Sequence, residues 1–257
     1  MYSYSSGYGQ EEVFIPKGQV MGGVAIGIIL FGQAGYPLLP GSVENATTFD
    51  FPVHFKTIEA GSVERVVSPK LDSLVLEQLI EAGKELEQQG CRAIIGACGY
   101  FANYLPEVTA ALNVPCFFSS LMQVPMISRA LKPRQKVGII CANGRVLSSA
   151  PALKNCGVND LSTVVIAGAE DLPEMQKVLQ GAGHNNPTKF EQELVGLVKQ
   201  MVSENPDIGA ILAECTLFPT YAWAIQEAVR LPVFDFTTMI NWVYNAVVRR
   251  PFAGFMY

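Results

Sequence analysis

The chain has 257 residues, 49% apolar and 16% charged, with a formal net charge of −5. That composition excludes a disordered polymer and is long enough for one large packed unit or two ordinary ones. It also speaks against a nucleic-acid partner, whose binding surface is normally basic. No lysine/arginine cluster offsets the acidic balance.

The apolar runs Val20–Phe31 and Ile208–Phe218 fall well short of the roughly 20 residues a membrane span requires, so no membrane partner is expected. Residues 1–21 lack the basic start and apolar core of an export signal and are expected to form a flexible Tyr/Ser/Gly-rich arm. Cys91, Cys98, Cys116, Cys141, Cys156 and Cys215 form no C-x-x-C pair, and His54 and His184 are the only histidines. Free thiols in a reducing cytoplasm fit this pattern, and neither a metal nor another cofactor is expected.

In chain order, Gly22–Leu30 reads as a strand buried on both faces. Phe31–Phe51 follows as a long loop at its carboxyl end, and Val53–Ile58 as a second strand. Ser68 and Pro69 suit the start of a helix with the stripe Leu71, Leu74, Val75, Leu79 and Leu86, ended by Gly90. Ala93–Pro115 then reads as strand, cysteine, brief turn and amphipathic helix. A proline-led strand comes next and ends at Ser119 and Ser120. Gln123–Leu131 looks helical, and Lys132-Pro133-Arg134 breaks the chain.

Lys136–Ala142 restarts the same order, with a loop at Asn143-Gly144, a helix over Leu147–Lys154 and a strand over Thr163–Ala167. Asp171 with Glu174, and Thr188 with Glu191, resemble capping boxes. The second opens a helix with the stripe Phe190, Leu194, Leu197, Val198 and Met201, stopped by Asn205-Pro206. A last helix is expected from Thr238, with residues 238–257 packing back on the first half.

An internal duplication organises this order. At an offset of 117 positions Ala93 superposes on Ala210, Cys98 on Cys215, Phe101 on Phe218, Tyr104 on Tyr221, Pro115 on Pro232 and Phe117 on Phe234, without a gap. The expected fold is α/β, with two pseudo-symmetric half-domains over residues 22–122 and 123–237. Each carries a parallel sheet, and an active-site cleft lies between them. Cys98 and Cys215 then face each other across the cleft.

A thiol where a strand hands over to a helix meets unpaired amides and the positive helix end, which favour thiolate. One thiolate can remove a proton from carbon while the opposite thiol returns one to the other face. The same amides can hold a carboxylate or an enolate oxygen. Cys98 and Cys215 are therefore the candidate catalytic pair. Asn45, Gly99, Tyr100, Ser119, Ser120, Asn143, Thr216 and Leu217 are candidate substrate contacts, with Gln33 a weaker one. The substrate expected is a small carboxylate or amide-bearing molecule, and a homo-oligomer is left open.

With the AECT that ends in Glu214–Thr216 and the PVFD of Pro232–Asp235, the repeated strand-Cys-helix units resemble the aspartate/glutamate racemase superfamily. The segment Pro40–Val53 is similar to a branch of it without a defined substrate. The resemblance covers nearly everything after Gly22. It implies cofactor-independent chemistry at carbon beside a carboxyl or carbonyl group, with Cys98 and Cys215 as acid and base. Gly99-Tyr100 departs from the Asn-Thr that follows the first cysteine in amino-acid racemases of this superfamily, which weakens aspartate or glutamate as substrate. Racemisation or isomerisation is the leading expectation. Cysteine-nucleophile isomerisation of the maleate type, hydrolysis or decarboxylation, and a non-catalytic solute-binding module are the alternatives.

Overall fold

A computed structural model describes residues 15–32 and 35–256. The first half carries β1 (Ile26–Phe31), β2 (Val53–Ile58), the short α1 (Val63–Val66), α2 (Ser73–Gln88), β3 (Ala93–Gly96), α3 (Leu105–Ala111), β4 (Cys116–Phe117) and α4 (Val124–Ala130). The second carries β5 (Lys136–Cys141), α5 (Gly144–Ser149), α6 (Ala152–Asn155), β6 (Val164–Gly168), α7 (Pro173–Leu179), α8 (Pro187–Glu204), β7 (Ile208–Ala213), α9 (Ala222–Val229), β8 (Val233–Phe234) and α10 (Phe236–Val247). Two four-stranded sheets result, ordered β2-β1-β3-β4 and β6-β5-β7-β8. Among the described residues every strand pair is parallel.

The duplication reaches the level of register. Ile94 pairs with Cys116 and Ile95 with Phe117, while Ile211 pairs with Val233 and Leu212 with Phe234. Parallel strands need a crossover, and a helix on the sheet face is its usual form. Alternate side chains of β1 and β3 therefore go to opposite layers. Ile26, Ile28, Ala93 and Ile95 pack with Phe236, Met239, Ile240 and Val243 of α10, so the last helix covers one face of the first sheet. Ile29 and Ile94 face the other layer with Val75, Leu79, Ala82 and Leu86 of α2.

Several local expectations differ from the structure. Asp72, not Ser68, caps α2, its Oδ1 accepting from the amides of Leu74 and Val75 at 2.9 and 3.2 Å. Ser68 instead closes a turn by accepting from the Lys70 amide. With the helix starting later, Leu71 and Leu74 are 49% and 43% exposed and fall off the buried stripe. No capping box forms at Asp171, which pairs with Arg145, while Leu172 precedes α7. α8 begins one residue before Thr188 because Asn186 caps it and Pro187 takes its first turn. Pro151 splits the expected helix over Leu147–Lys154 into α5 and α6. α10 stops at Val247, and residues 248–256 carry no helix, as Pro251 and Gly254 would dictate.

Residues 1–14 of the expected arm lie outside the described residues, as does Gln33. At its described end, the Gly18 carbonyl accepts from the Gln89 side chain and the Val20 amide donates to it. Among the described residues no helix is long and apolar enough to cross a membrane.

Candidate active site

The carboxyl ends of β1, β3, β5 and β7 converge on one small cavity of about 40 Å³. Each contributes wall residues: Phe31 from β1, Cys98 and Gly99 beyond β3, Ala142 beyond β5, and Glu214, Cys215 and Thr216 beyond β7. The two thiols that the duplication relates thus line a single space, and both are free of disulfides. α1 and α7 supply Val63, Met175 and Val178, and the loop after β1 supplies Tyr36.

Each cysteine enters a 3-10 turn rather than an α-helix. Cys98 precedes the turn Gly99–Tyr104, and Cys215 stands three residues before the turn Phe218–Tyr221. The carbonyls of Cys98 and Cys215 accept from the amides of Phe101 and Phe218, which bends the chain and brings the sulfurs over the strand ends. The Tyr100 and Leu217 amides at these turns reach toward the Cys98 and Cys215 sulfurs, so a negative charge at the cavity wall meets backbone donors there.

Burial overturns the expectation of low thiol pKa values. Loss of water drives both Cys98 and Cys215 well above the ordinary thiol value, and the Glu214 carboxyl adds to the rise. The amides of Tyr100 and Phe101 pull Cys98 down, and that of Leu217 pulls Cys215 down, but neither effect offsets desolvation. A short 3-10 turn offers less helix dipole than the α-helix start expected from the pattern.

Glu214 is fully buried, and among the described residues neither of its carboxyl oxygens has a hydrogen-bond partner of good geometry. Burial lifts its pKa to about 8, with only the Ala142 amide acting in the opposite sense. Its carboxyl occupies the space over Gly99, where a Cβ would collide with it. Glu44 lies behind the wall, its Oε1 accepting from Tyr36 Oη at 3.2 Å and from Thr216 Oγ1 at 2.6 Å. Burial raises its pKa also. Sequence reasoning missed Glu44 and Tyr36. Their location in a long loop was the available signal, but loop position does not reveal which side chain turns inward.

Of the candidate contacts, Gly99, Tyr100, Thr216 and Leu217 line the cavity. Asn45, Ser119, Ser120 and Asn143 do not, because their side chains are engaged elsewhere. Asn45 caps a 3-10 turn, accepting from the Thr47 amide and donating to the Leu38 carbonyl. Ser119 caps the turn after β4, and Asn143 caps α5 through the Val146 amide. Ser120 Oγ donates to the Ala213 carbonyl at 2.9 Å, a bond between the two halves. These are the caps and ties that hold the wall residues in place.

Two sheets of the same order that bring duplicated cysteines to one cavity define a class of α/β proteins built from facing halves. A sequence model described as Asp/Glu/hydantoin racemase matches residues 63–242, and the chain belongs to that family. Among curated proteins it is 31% identical over 226 residues to dimethylsulfoniopropionate lyase 3 of Emiliania huxleyi, covering 85% of this chain and 59% of that one. It is 28% identical over 237 residues to the dimethylsulfoniopropionate lyase of Durusdinium sp. clade D, with 90% and 77% covered. The chain thus spans about three fifths of the Emiliania relative's length. Among solved structures, allantoin racemase from Klebsiella pneumoniae superposes with a TM-score of 0.58 at 16% identity, over 87% of this chain and 88% of that one. An arylmalonate decarboxylase gives 0.54 at 16% identity, over 90% and 95%. Likeness at that level of identity speaks to the fold.

Proposed function

We propose that this chain is a cofactor-independent carbon-acid enzyme. In this reading Cys98 and Cys215 exchange a proton with the carbon beside a carboxylate held at the turn amides, and a leaving group departs from the next carbon. The convergence of the two duplicated thiols on one cavity is the observation that carries it. The names of the curated relatives supply the substrate: dimethylsulfoniopropionate, a propionate bearing a dimethylsulfonium group.

The step balances without a further reactant. A thiolate takes the proton from Cα, and the released electron pair forms the Cα=Cβ bond. The Cβ–S bond breaks with its pair going to sulfur, giving acrylate and neutral dimethyl sulfide. A positive charge entering the cavity opposes the effect of burial on the thiols, so the substrate itself draws the base toward its ionised form.

The test is release of dimethyl sulfide into the headspace with acrylate in equal amount, and its loss in Cys98→Ser or Cys215→Ser protein. No release by the unmodified protein, or full activity in both variants, would overturn the reading. A second reading is stereoinversion, and the presence of a second thiol favours it, since elimination needs one base whereas proton exchange on two faces needs two. Loss of optical activity in a chiral amino acid or hydantoin, with solvent deuterium entering the stereocentre, distinguishes it.

A further inference from the structure

Among the described residues, the cavity lining holds the carboxyl of Glu214 and no lysine, arginine or histidine. Glu44, just behind Tyr36 and Thr216, receives a hydroxyl hydrogen bond from each on Oε1, while its Oε2 is buried without a partner. Glu214 receives no well-formed hydrogen bond on either oxygen, although it is fully buried, and only the Ala142 amide lies near it. An unpaired buried carboxyl is costly, and the cost is relieved by any ligand that brings a matching charge. The fold makes specific room for it, since Gly99 has no side chain where the carboxyl lies. The duplication sharpens the point: the position equivalent to Glu214 in the first half is Ala97, so among the residues lining the cavity the carboxyl stands on one side only.

We propose that Glu214 is the counter-ion for a fixed positive charge on the substrate, making the site selective for onium-bearing carboxylates over neutral ones of the same shape. The inference rests on the reading of this cavity as the substrate site. A one-sided carboxylate orients a two-ended ligand. The cationic end goes to Glu214, within the apolar and aromatic wall of Phe31, Tyr36 and Tyr100 that suits methyl groups on a cation. The ligand's carboxylate is left for the turn amides.

The experiment compares two probes of equal shape, 3-(trimethylammonio)propionate and its carbon isostere 4,4-dimethylpentanoate, by titration calorimetry on the full chain. The unmodified protein should bind the ammonium probe about tenfold tighter or more, and Glu214→Gln should bring the ratio to about one. An unchanged ratio in Glu214→Gln, no preference in the unmodified protein, or loss of the preference in Glu44→Gln alone overturns the proposal. Should Glu214→Gln fail to fold, proton release decides. At pH 7 the Glu214 carboxyl is largely protonated, its pKa being about 8. Pairing with the cation should therefore expel a proton that the isostere does not, read as a buffer-dependent heat. Cys98, Cys141, Cys156, Cys215 and Tyr100 also lie within electrostatic reach of this carboxyl, and Glu44 within reach of both cavity thiols. The isostere controls for displacement of water around them, and equal proton counts for the two probes overturn the proposal. None of these measurements needs turnover. A protein that prefers the ammonium probe yet releases no dimethyl sulfide refutes the elimination reading and leaves this inference standing.

Discussion

The hydroxyl of Tyr100 donates to the Asn143 carbonyl at 2.7 Å and accepts from the Asn143 amide at 2.9 Å. One side chain beyond β3 thereby satisfies both backbone groups at the junction of β5 and α5, on the opposite half. The same residue follows Cys98 by two positions, so this clasp also holds the turn beside the sulfur. Tyr100→Phe leaves the part-buried Asn143 N–H without its partner and the Asn143 carbonyl with the Leu147 amide alone. The expected cost is about 1–3 kcal/mol, measured as a shift in the denaturation midpoint, with a larger fall in turnover than in substrate affinity.

Burial holds both cavity thiols neutral at pH 7, so reactivity should climb with pH. Alkylation of Cys98 and Cys215 by iodoacetamide, followed by peptide mass spectrometry, should be slow at pH 7 and accelerate steadily toward pH 10. The onium probe should protect the pair by occupying the cavity. Fast alkylation at pH 6 would show that the amides outweigh desolvation.

Glu214 predicts how stability responds to pH. Its folded-state pKa is lifted from the ordinary 4.5 to about 8. Between those values the unfolded chain has released this proton and the folded chain still holds it, so rising pH favours unfolding. Stability should fall across that window by up to about 1.4 kcal/mol per pH unit from this group. Glu44 and Asp235, also raised by burial, act in the same sense. Urea midpoints of unmodified and Glu214→Gln protein at pH 5, 6.5 and 8 isolate the Glu214 share. The difference should be largest at pH 8, and parallel curves would contradict it.

The architecture was legible because the 117-residue repeat acts on positions, and positions set register: Ile94 with Cys116 and Ile211 with Val233 is the same pairing written twice. The convergence of Cys98 and Cys215 on one cavity could be read for the same reason. Helix starts were read less well, since several residues compete for each cap. Asp72 outcompeted Ser68, and Asn186 outcompeted Thr188. The direction of the thiol pKa shift was misread because a motif shows the turn but not how dry its surroundings are. Glu214 sat in plain view within the AECT segment. Only the folded chain reveals that Gly99 makes room for its carboxyl and that, among the described residues lining the cavity, no cation answers it.

The two thiols should differ in role. Two amides act on Cys98 and one on Cys215, and Cys215 is the chain neighbour of Glu214, whose charge opposes ionisation. On the proposed reading Cys98 is therefore the expected base. Cys98→Ser should lower dimethyl sulfide release by about 10²–10⁴-fold, in the range of a lost acid–base group, while Cys215→Ser should reduce it less. Unreacted substrate recovered from heavy water provides a second readout, because deuterium at Cα requires the proton to have left and been replaced. Incorporation should persist in Cys215→Ser protein and vanish in Cys98→Ser protein. The reverse pattern would assign the base to Cys215, and equal incorporation in both variants would remove the thiols from the proton-transfer step.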